Sequence, residues 1–316
     1  MKKRPRGTRR PLFPRTVEEL IDHGASRFKA ARLAFGHGLA SAGDEAAYLT
    51  AHALGLPPDE LSDHLGRSAA RNEVRKALRL FERRIEARKP AAYLARAAWL
   101  AGLRFHVNEN VIVPRSYIAE LLREDLAPWI AQPVKVRSAL DLCTGSGCLA
   151  ILLAHSFPRA RIDASDISGK ALRVARRNVA DYGLESRIDL VRSDLYRALA
   201  GKRYDLIVSN PPYVTAAKMR RLPPEYRHEP PLALAGGRDG LDFVRVILSE
   251  APEHLRPGGM LVVETGHSRH RVERAFPHTP FIWPETSGGD DCVFVITREE
   301  LAQPALPVAR DRAEVR

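Results

Sequence analysis

Residues 138–154 read S-A-L-D-L-C-T-G-S-G-C-L-A-I-L-L-A, an apolar strand that passes through two closely spaced glycines straight into an apolar helix. Few architectures accept that junction. A strand apolar on both sides belongs in a parallel sheet covered on both faces, and such sheets bind ligands beyond the carboxyl ends of their strands. Gly145 and Gly147 let the backbone turn tightly and approach a ligand with no Cβ in the way. The third glycine of a dinucleotide fingerprint is missing at its expected spacing, and no P-loop lysine or serine follows.

The segment carries carboxylates instead. Asp141 stands just before the glycines, Asp166 ends the stretch 161–166 and Asp194 ends the stretch 188–194. Asp166 lies about 20 residues beyond the glycine turn, where an acid can take both ribose hydroxyls. Asp194 is placed to face an adenine amino group. Any one of these aspartates reads equally well as a helix N-cap. Three in register point to a bound nucleoside. Carboxylates in place of phosphate-binding groups imply that it carries positive charge, and S-adenosylmethionine, with its sulfonium, fits. The candidate cofactor residues are Asp141, Cys143, Thr144, Gly145, Ser146, Gly147, Asp166, Ile167, Asp194, Leu195 and Asn210.

After a fourth strand, residues 205–209, comes Asn210-Pro211-Pro212-Tyr213. An amide or exocyclic amine nitrogen is a poor nucleophile because its lone pair is delocalised. The Asn210 carboxamide oxygen and the Pro211 carbonyl can accept its two N–H bonds. Consecutive prolines stiffen the loop and leave its carbonyls free to point inward. Tyr213 offers a flat face for a planar group. The competing reading of these four residues is a proline-rich turn with Tyr213 in the core.

Net charge is +12, of which seven positive charges (Lys2, Lys3, Arg4, Arg6, Arg9, Arg10, Arg15) fall in the first fifteen residues, with no acid among them. That stretch, with Pro5, Pro11 and Pro14, is expected to be disordered in isolation. It is either a contact for ribosomal RNA phosphates or a solvated tail. It lacks the apolar core of a signal peptide, and no run is long enough to span a bilayer. Three cysteines (Cys143, Cys148, Cys292) within apolar or motif segments suit a reduced cytoplasm and packing roles rather than disulfides. His228-Glu229-Pro230 is not a zinc motif, since Pro230 breaks the helix such a motif needs; no metal is expected.

The organisation expected along the chain begins with a basic tail, 1–15, and a helical domain, 16–95. The latter opens on a capping box at Thr16 and Glu19, has a helix stopped by Gly55, and has another from near Asn72 to Arg88. A β-hairpin connector, 96–115, pairs 103–107 with 111–113 around Asn108-Glu109-Asn110. A domain of alternating strands and helices, 116–300, ends in an antiparallel pair, 281–283 with 291–296. A frayed tail, 301–316, completes it.

The catalytic half resembles the class I S-adenosylmethionine-dependent methyltransferases. Residues 16–300 resemble the protein-glutamine N5-methyltransferases of the HemK-like family. The carriers are Lys89-Pro90-Ala91-Ala92-Tyr93-Leu94, the N-V-I-V-P-R of 110–115, the 141–147 loop, N-P-P-Y and the G-G-M-L-V-V-E of 258–264. Pro114-Arg115-Ser116 followed by Ile118, R-H-E-P at 227–230, G-G-R-D-G-L-D at 236–242 and Gly288-Gly289-Asp290 are closer to one branch. That branch methylates the third protein of the large ribosomal subunit; the other acts on release factors. Tyr117 replaces a usual proline, Thr265-Gly266-His267 stands where V-G-N is usual, and Asp291-Cys292 replaces G-V.

The resemblance implies a Rossmann-like domain with a seven-stranded, mostly parallel sheet behind a small N-terminal helical bundle and hairpin. It implies S-adenosylmethionine as methyl donor, a ribosomal protein as substrate and a catalytic loop of Asn210, Pro211, Pro212 and Tyr213. Arg115, His228 and Glu229 are candidates for the substrate entrance, or else for a salt bridge and loop packing. Gly236 and Gly237 make the following loop either a lid or a static turn. The alternatives are methylation of release factors, N6-methylation of adenine in DNA or RNA, and a ribosome-assembly factor with an idle fold.

Overall fold

The computed structural model describes residues 14–302, which form two compact units. The basic stretch expected to be disordered lies outside the described residues up to position 13, as does the C-terminal stretch from 303 onward. Among the described residues no helix is long and apolar enough to cross a membrane.

The first unit comprises residues 14–96 with Pro223–His228. Its helices are α1 (Val17–Ala30), α2 (Ala42–Leu54), α3 (Arg71–Ala87) and the short α4 (Ala91–Ala95). Thr16 and Glu19 make the reciprocal capping box, and Gly55, at φ 76°, ends α2 in the left-handed region. Phe28 meets Phe81 edge to face, with ring centroids 5.4 Å apart. Arg84 is fully buried, yet its guanidinium donates to both Glu45 carboxylate oxygens, at 2.6 and 3.2 Å. Glu225 joins the same network, pairing with Arg88 at 2.6 Å and accepting the Ala34 amide at 3.0 Å. Burying these charges is tolerable because they are paired. They also explain why six residues so distant in sequence belong to this unit.

The second unit comprises Ala97–Leu222 with the chain from Glu229 onward. It opens with a hairpin of β1 (Ala97–Leu100) and β2 (Leu103–His106); β2 matches the expected strand 103–107, but its partner lies upstream of it and is not 111–113. Ala101 and Gly102 both have positive φ, 51° and 80°, the two-residue turn whose twist suits a hairpin. At the anticipated turn, Asn108 Oδ1 instead accepts the Asn110 amide at 3.0 Å, a local turn that takes 111–113 out of any ladder.

After α5 (Ile118–Arg123) the chain alternates: β3 (Ser138–Leu142), α6 (Cys148–Ser156), β4 (Arg161–Asp166), α7 (Gly169–Asp181), β5 (Ile188–Arg192), β6 (Tyr204–Ser209), the one-turn α8 (Ala216–Met219), α9 (Asp242–His254), β7 (Leu255–Glu264), α10 (Arg269–Ala275), β8 (Val293–Thr297) and α11 (Arg298–Leu301). The sheet order is β5-β4-β3-β6-β7-β8, parallel except for β8. Alternate residues serve opposite cores. Ala139, Ile162 and Leu206 pack with α6, while Leu140, Ile207 and Leu261 pack with α9. Seven strands are expected in this sheet; among the described residues it has six. Residues 281–283 contribute a single bridge, Ile282 with Val295, because Pro280 and Pro284 on either side have no N–H to extend the ladder. The strand order reverses between β3 and β6, so a crevice opens at their carboxyl ends.

Candidate active site

The glycine turn leaves β3 through three left-handed residues, Cys143 (φ 67°), Gly145 (57°) and Gly147 (80°). A Cβ on Gly147 would stand 3.2 Å from Ala175 Cβ, so glycine here permits the close approach to α7. A Cβ on Gly145 would meet no protein atom within 4 Å; the space beside it is open. The Gly145 amide donates to Asp166 Oδ2 at 2.9 Å and the Ser168 amide to Asp166 Oδ1 at 2.8 Å. Burial raises the pKa of Asp166 and these two donors oppose the rise. Each carboxylate oxygen retains acceptor capacity for a hydroxyl donor.

A cavity of about 280 Å³ occupies the crevice. Of the sequence-derived residues, Cys143, Gly145, Asp166, Ile167, Asp194, Leu195, Asn210 and Pro212 line it; Asp141, Thr144, Ser146, Gly147, Pro211 and Tyr213 do not. Asp141 lies behind the turn, fully buried. Its Oδ2 accepts the Thr144 hydroxyl at 2.5 Å and the Ala150 amide at 2.9 Å, tying the turn to the first turn of α6. Burial pushes it up to about 7, against those two bonds. Thr144 and Ser146 are buried as well, and the Ser146 carbonyl accepts Asn178 Nδ2 at 2.8 Å.

These residues fit an adenosyl group bearing a sulfonium. Asp166 faces the cavity with acceptors, Asp194 lines it too, and among the described residues no lysine or arginine lines the space to hold phosphate. Ile167 and Leu232 are 45% and 54% exposed at its edge, apolar surface suited to cover a flat base. Leu232, Ala233 and Phe243 were not singled out from the sequence. Phe243 directly follows the G-G-R-D-G-L-D segment, whose glycines were the available signal.

The N-P-P-Y loop leaves β6 where Ser209 Oγ donates to the Leu142 carbonyl at 2.7 Å. Asn210 Nδ2 donates to the Arg115 carbonyl at 3.3 Å, which leaves Oδ1 as the acceptor for a guest. The Tyr213 hydroxyl donates to Glu264 Oε1 at 3.3 Å, and burial with that carboxylate nearby holds its pKa well above the ordinary range. Glu264, at the end of β7, also accepts the Ser116 hydroxyl at 2.6 Å and the Tyr117 amide at 2.9 Å. It is the clearest residue missed in the sequence, where it reads as the last letter of an apolar strand.

The loop after N-P-P-Y packs back against that motif. The Gly236 amide donates to the Val214 carbonyl at 2.9 Å, and a Cβ on Gly236 would come within 2.6 Å of Tyr213 Cα. Arg115 and Glu229, two of the three entrance candidates, form an ion pair. Glu229 is buried, accepting both Arg115 guanidinium nitrogens at 2.5 and 2.7 Å and the Val113 amide at 3.0 Å. His228 Nε2 lies 2.9 Å from the Ala87 carbonyl, within the helical unit.

Residues 120–222 match the methyltransferase small domain family. The chain is 54% identical over 286 residues to the ribosomal protein uL3 glutamine methyltransferase of Bordetella pertussis, covering 90% of this chain and 96% of that one. It is 53% identical to the protein of that name in Neisseria meningitidis serogroup B, covering 90% and 94%. With the one in Bradyrhizobium diazoefficiens it shares 48% identity, covering 90% and 92%.

Proposed function

The chain belongs to the family of ribosomal protein uL3 glutamine methyltransferases, and from that membership we propose that it methylates the side-chain amide nitrogen (N5) of a glutamine in ribosomal protein uL3. The observation that carries the reading is Asn210. Its amide nitrogen is occupied by the Arg115 carbonyl while its side chain lines the same cavity as Asp166 and Asp194. S-adenosylmethionine, when bound, supplies an electrophilic methyl group on sulfonium sulfur. Asp166 holds the ribose hydroxyls, and Asp194 and Leu195 border the base.

In this reading Asn210 Oδ1 and the Pro211 carbonyl accept the two N–H bonds of the glutamine amide, while Pro212 and Tyr213 flank its plane. Glu264 fixes the Tyr213 ring by its hydroxyl. In-line displacement depends above all on distance and alignment, so the loop's first task is positioning. As positive charge develops on nitrogen, the two acceptors bind it more strongly than they bound the neutral amide. The nitrogen attacks neutral and releases its proton afterwards, so no strong base is required. The helical unit is assigned to recognition of the ribosomal protein, and the reaction to the cytoplasm. Lys2, Lys3, Arg4, Arg6, Arg9, Arg10 and Arg15 are assigned to contact with ribosomal RNA phosphate. Deleting residues 1–15 should then flatten the salt dependence of RNA binding; an unchanged slope removes the tail from the reading.

The experiment that tests the acceptor is transfer of labelled methyl to purified uL3, a release factor and adenine-containing DNA. Label on uL3, lost when its target glutamine is replaced, is expected. Label on the release factor alone keeps the chemistry and overturns the substrate. Label on DNA alone assigns the N-P-P-Y loop a base instead of an amide.

A further inference from the structure

Just beyond β7, two segments place His267, Asp291 and Cys292 together. His267 Nδ1 lies 2.9 Å from Asp291 Oδ1 and 3.4 Å from Cys292 Sγ, and Sγ lies 3.4 Å from that same carboxylate oxygen. We propose that these three side chains form a binding site for a divalent transition-metal ion, zinc by the chemistry of the ligand set, although the sequence alone suggested no metal. Thiolate, imidazole and carboxylate are the ligands that zinc takes. Around a tetrahedral zinc, ligand atoms stand about 3.3–3.6 Å apart, given bonds of about 2.3 Å to sulfur and about 2.0 Å to nitrogen and oxygen. The two separations from Sγ, both 3.4 Å, fall in that range, and the 2.9 Å between Nδ1 and Oδ1 would have to open by about 0.4 Å to admit the ion.

The arrangement argues against a nucleophile relay. In a Cys–His–Asp relay the two partners use opposite ring nitrogens, so that one accepts the thiol proton while the other is oriented. Here Sγ and the carboxylate both converge on Nδ1. Sγ donates to Asp291 Oδ1 and to the Gly288 carbonyl, each at a long 3.4 Å, and a shared cation would replace these contacts with bonds to all three side chains. Cys292 is buried, and metal binding there would displace the thiol proton and release it to solvent.

The backbone holds the ligands in place. The Thr265 amide donates to the Cys292 carbonyl at 2.8 Å and the Ser268 amide to the Asp291 carbonyl at 3.3 Å, stitching the two ligand-bearing segments together. Arg269 takes the neighbouring Asp290 at 2.9 Å, so that Asp291 is the acid turned to the histidine. His267 is exposed, Asp291 partly so and Cys292 buried, which gives an ion a path in and leaves a fourth position for water. The three ligands also fall among the positions where the chain departs from the V-G-N and G-V of the family it resembles. Gly266, between Glu264 and His267, lies against the Tyr213 ring: a Cβ there would come within 2.8 Å of it. An ion at His267 would therefore stiffen the wall behind the N-P-P-Y loop.

The test is cobalt titration of the tag-free full chain after chelation. Expected is a thiolate-to-cobalt charge-transfer band, with visible absorption of tetrahedral intensity, saturating at one equivalent and erased by zinc. His267→Asn, a change at an exposed side chain, should lose the band while keeping the wild-type circular dichroism; Cys292→Val should lose it too. No band in the wild type would overturn the proposal. So would a band of equal strength in His267→Asn, which would put the cobalt on another thiol such as Cys143.

Discussion

The Tyr213 hydroxyl donates to Glu264 Oε1 at 3.3 Å, so the last residue of β7 braces the last residue of the N-P-P-Y loop. Burial pushes Glu264 from 4.5 up to about 6, against the bonds from Ser116, Tyr117 and Tyr213. A carboxyl whose folded pKa is raised gives its full stabilisation below the unfolded value and loses it as pH rises through the folded one. Between pH 4.5 and about 6, Glu264 should therefore cost the fold about 2 kcal/mol as pH increases. Glu264→Gln should remove that part of the slope. Urea unfolding of both proteins across this window checks it; parallel curves would mean that another group titrates.

Asn210→Ala should lower kcat at least roughly 10²-fold, because it removes an acceptor that strengthens in the transition state. Cofactor affinity should change little, since Asp166 and the glycine turn are untouched. Titration calorimetry with S-adenosylmethionine, beside single-turnover methyl transfer, separates the two. Near-normal turnover would defeat the assignment.

How much of this was legible in the sequence depends on what each residue touches. The strand–glycine–helix junction and the end of β6 were legible because backbone geometry and apolar periodicity are local properties. The Thr16 capping box was legible for the same reason. Asp141 and Asp166 look alike at a strand end, yet one lies behind the turn and the other faces the cavity; only the path of the turn separates them. Glu264 was hidden because its partners, Ser116 and Tyr213, come from segments 148 and 51 residues away. The hairpin was misplaced since Ala101-Gly102 makes a weaker turn signal than Asn108-Glu109-Asn110, although it is the pair that takes positive φ.

Gly236→Ala should damage the site through sterics alone. The new Cβ would stand 2.6 Å from Tyr213 Cα and 2.7 Å from the Pro212 carbonyl, and backbone cannot swing aside as a side chain can. A cost of about 1–3 kcal/mol is expected, with a matching loss of kcat as the loop shifts. Gly183→Ala is the contrast. It has φ 64° and open space around it, so it should cost about 1–2 kcal/mol of stability and leave kcat alone. Thermal melts and kcat for the pair distinguish loop placement from general destabilisation.

Arg115 bears on both stability and catalysis, by different atoms. Its guanidinium holds the buried Glu229, and its backbone carbonyl holds Asn210 Nδ2. Arg115→Lys should break the bidentate pairing yet preserve the carbonyl, costing about 1–2 kcal/mol with kcat reduced less than about tenfold. Glu229→Ala should cost more, about 2–4 kcal/mol, since it leaves the Val113 amide and a guanidinium only a quarter exposed without this acceptor. Asn210→Ala should show the reverse pattern, with little change in stability and a large fall in kcat. Unfolding midpoints plotted against kcat for the three variants put this to the test. If Arg115→Lys lost as much turnover as Asn210→Ala at a small stability cost, the guanidinium rather than the carbonyl would be serving the reaction.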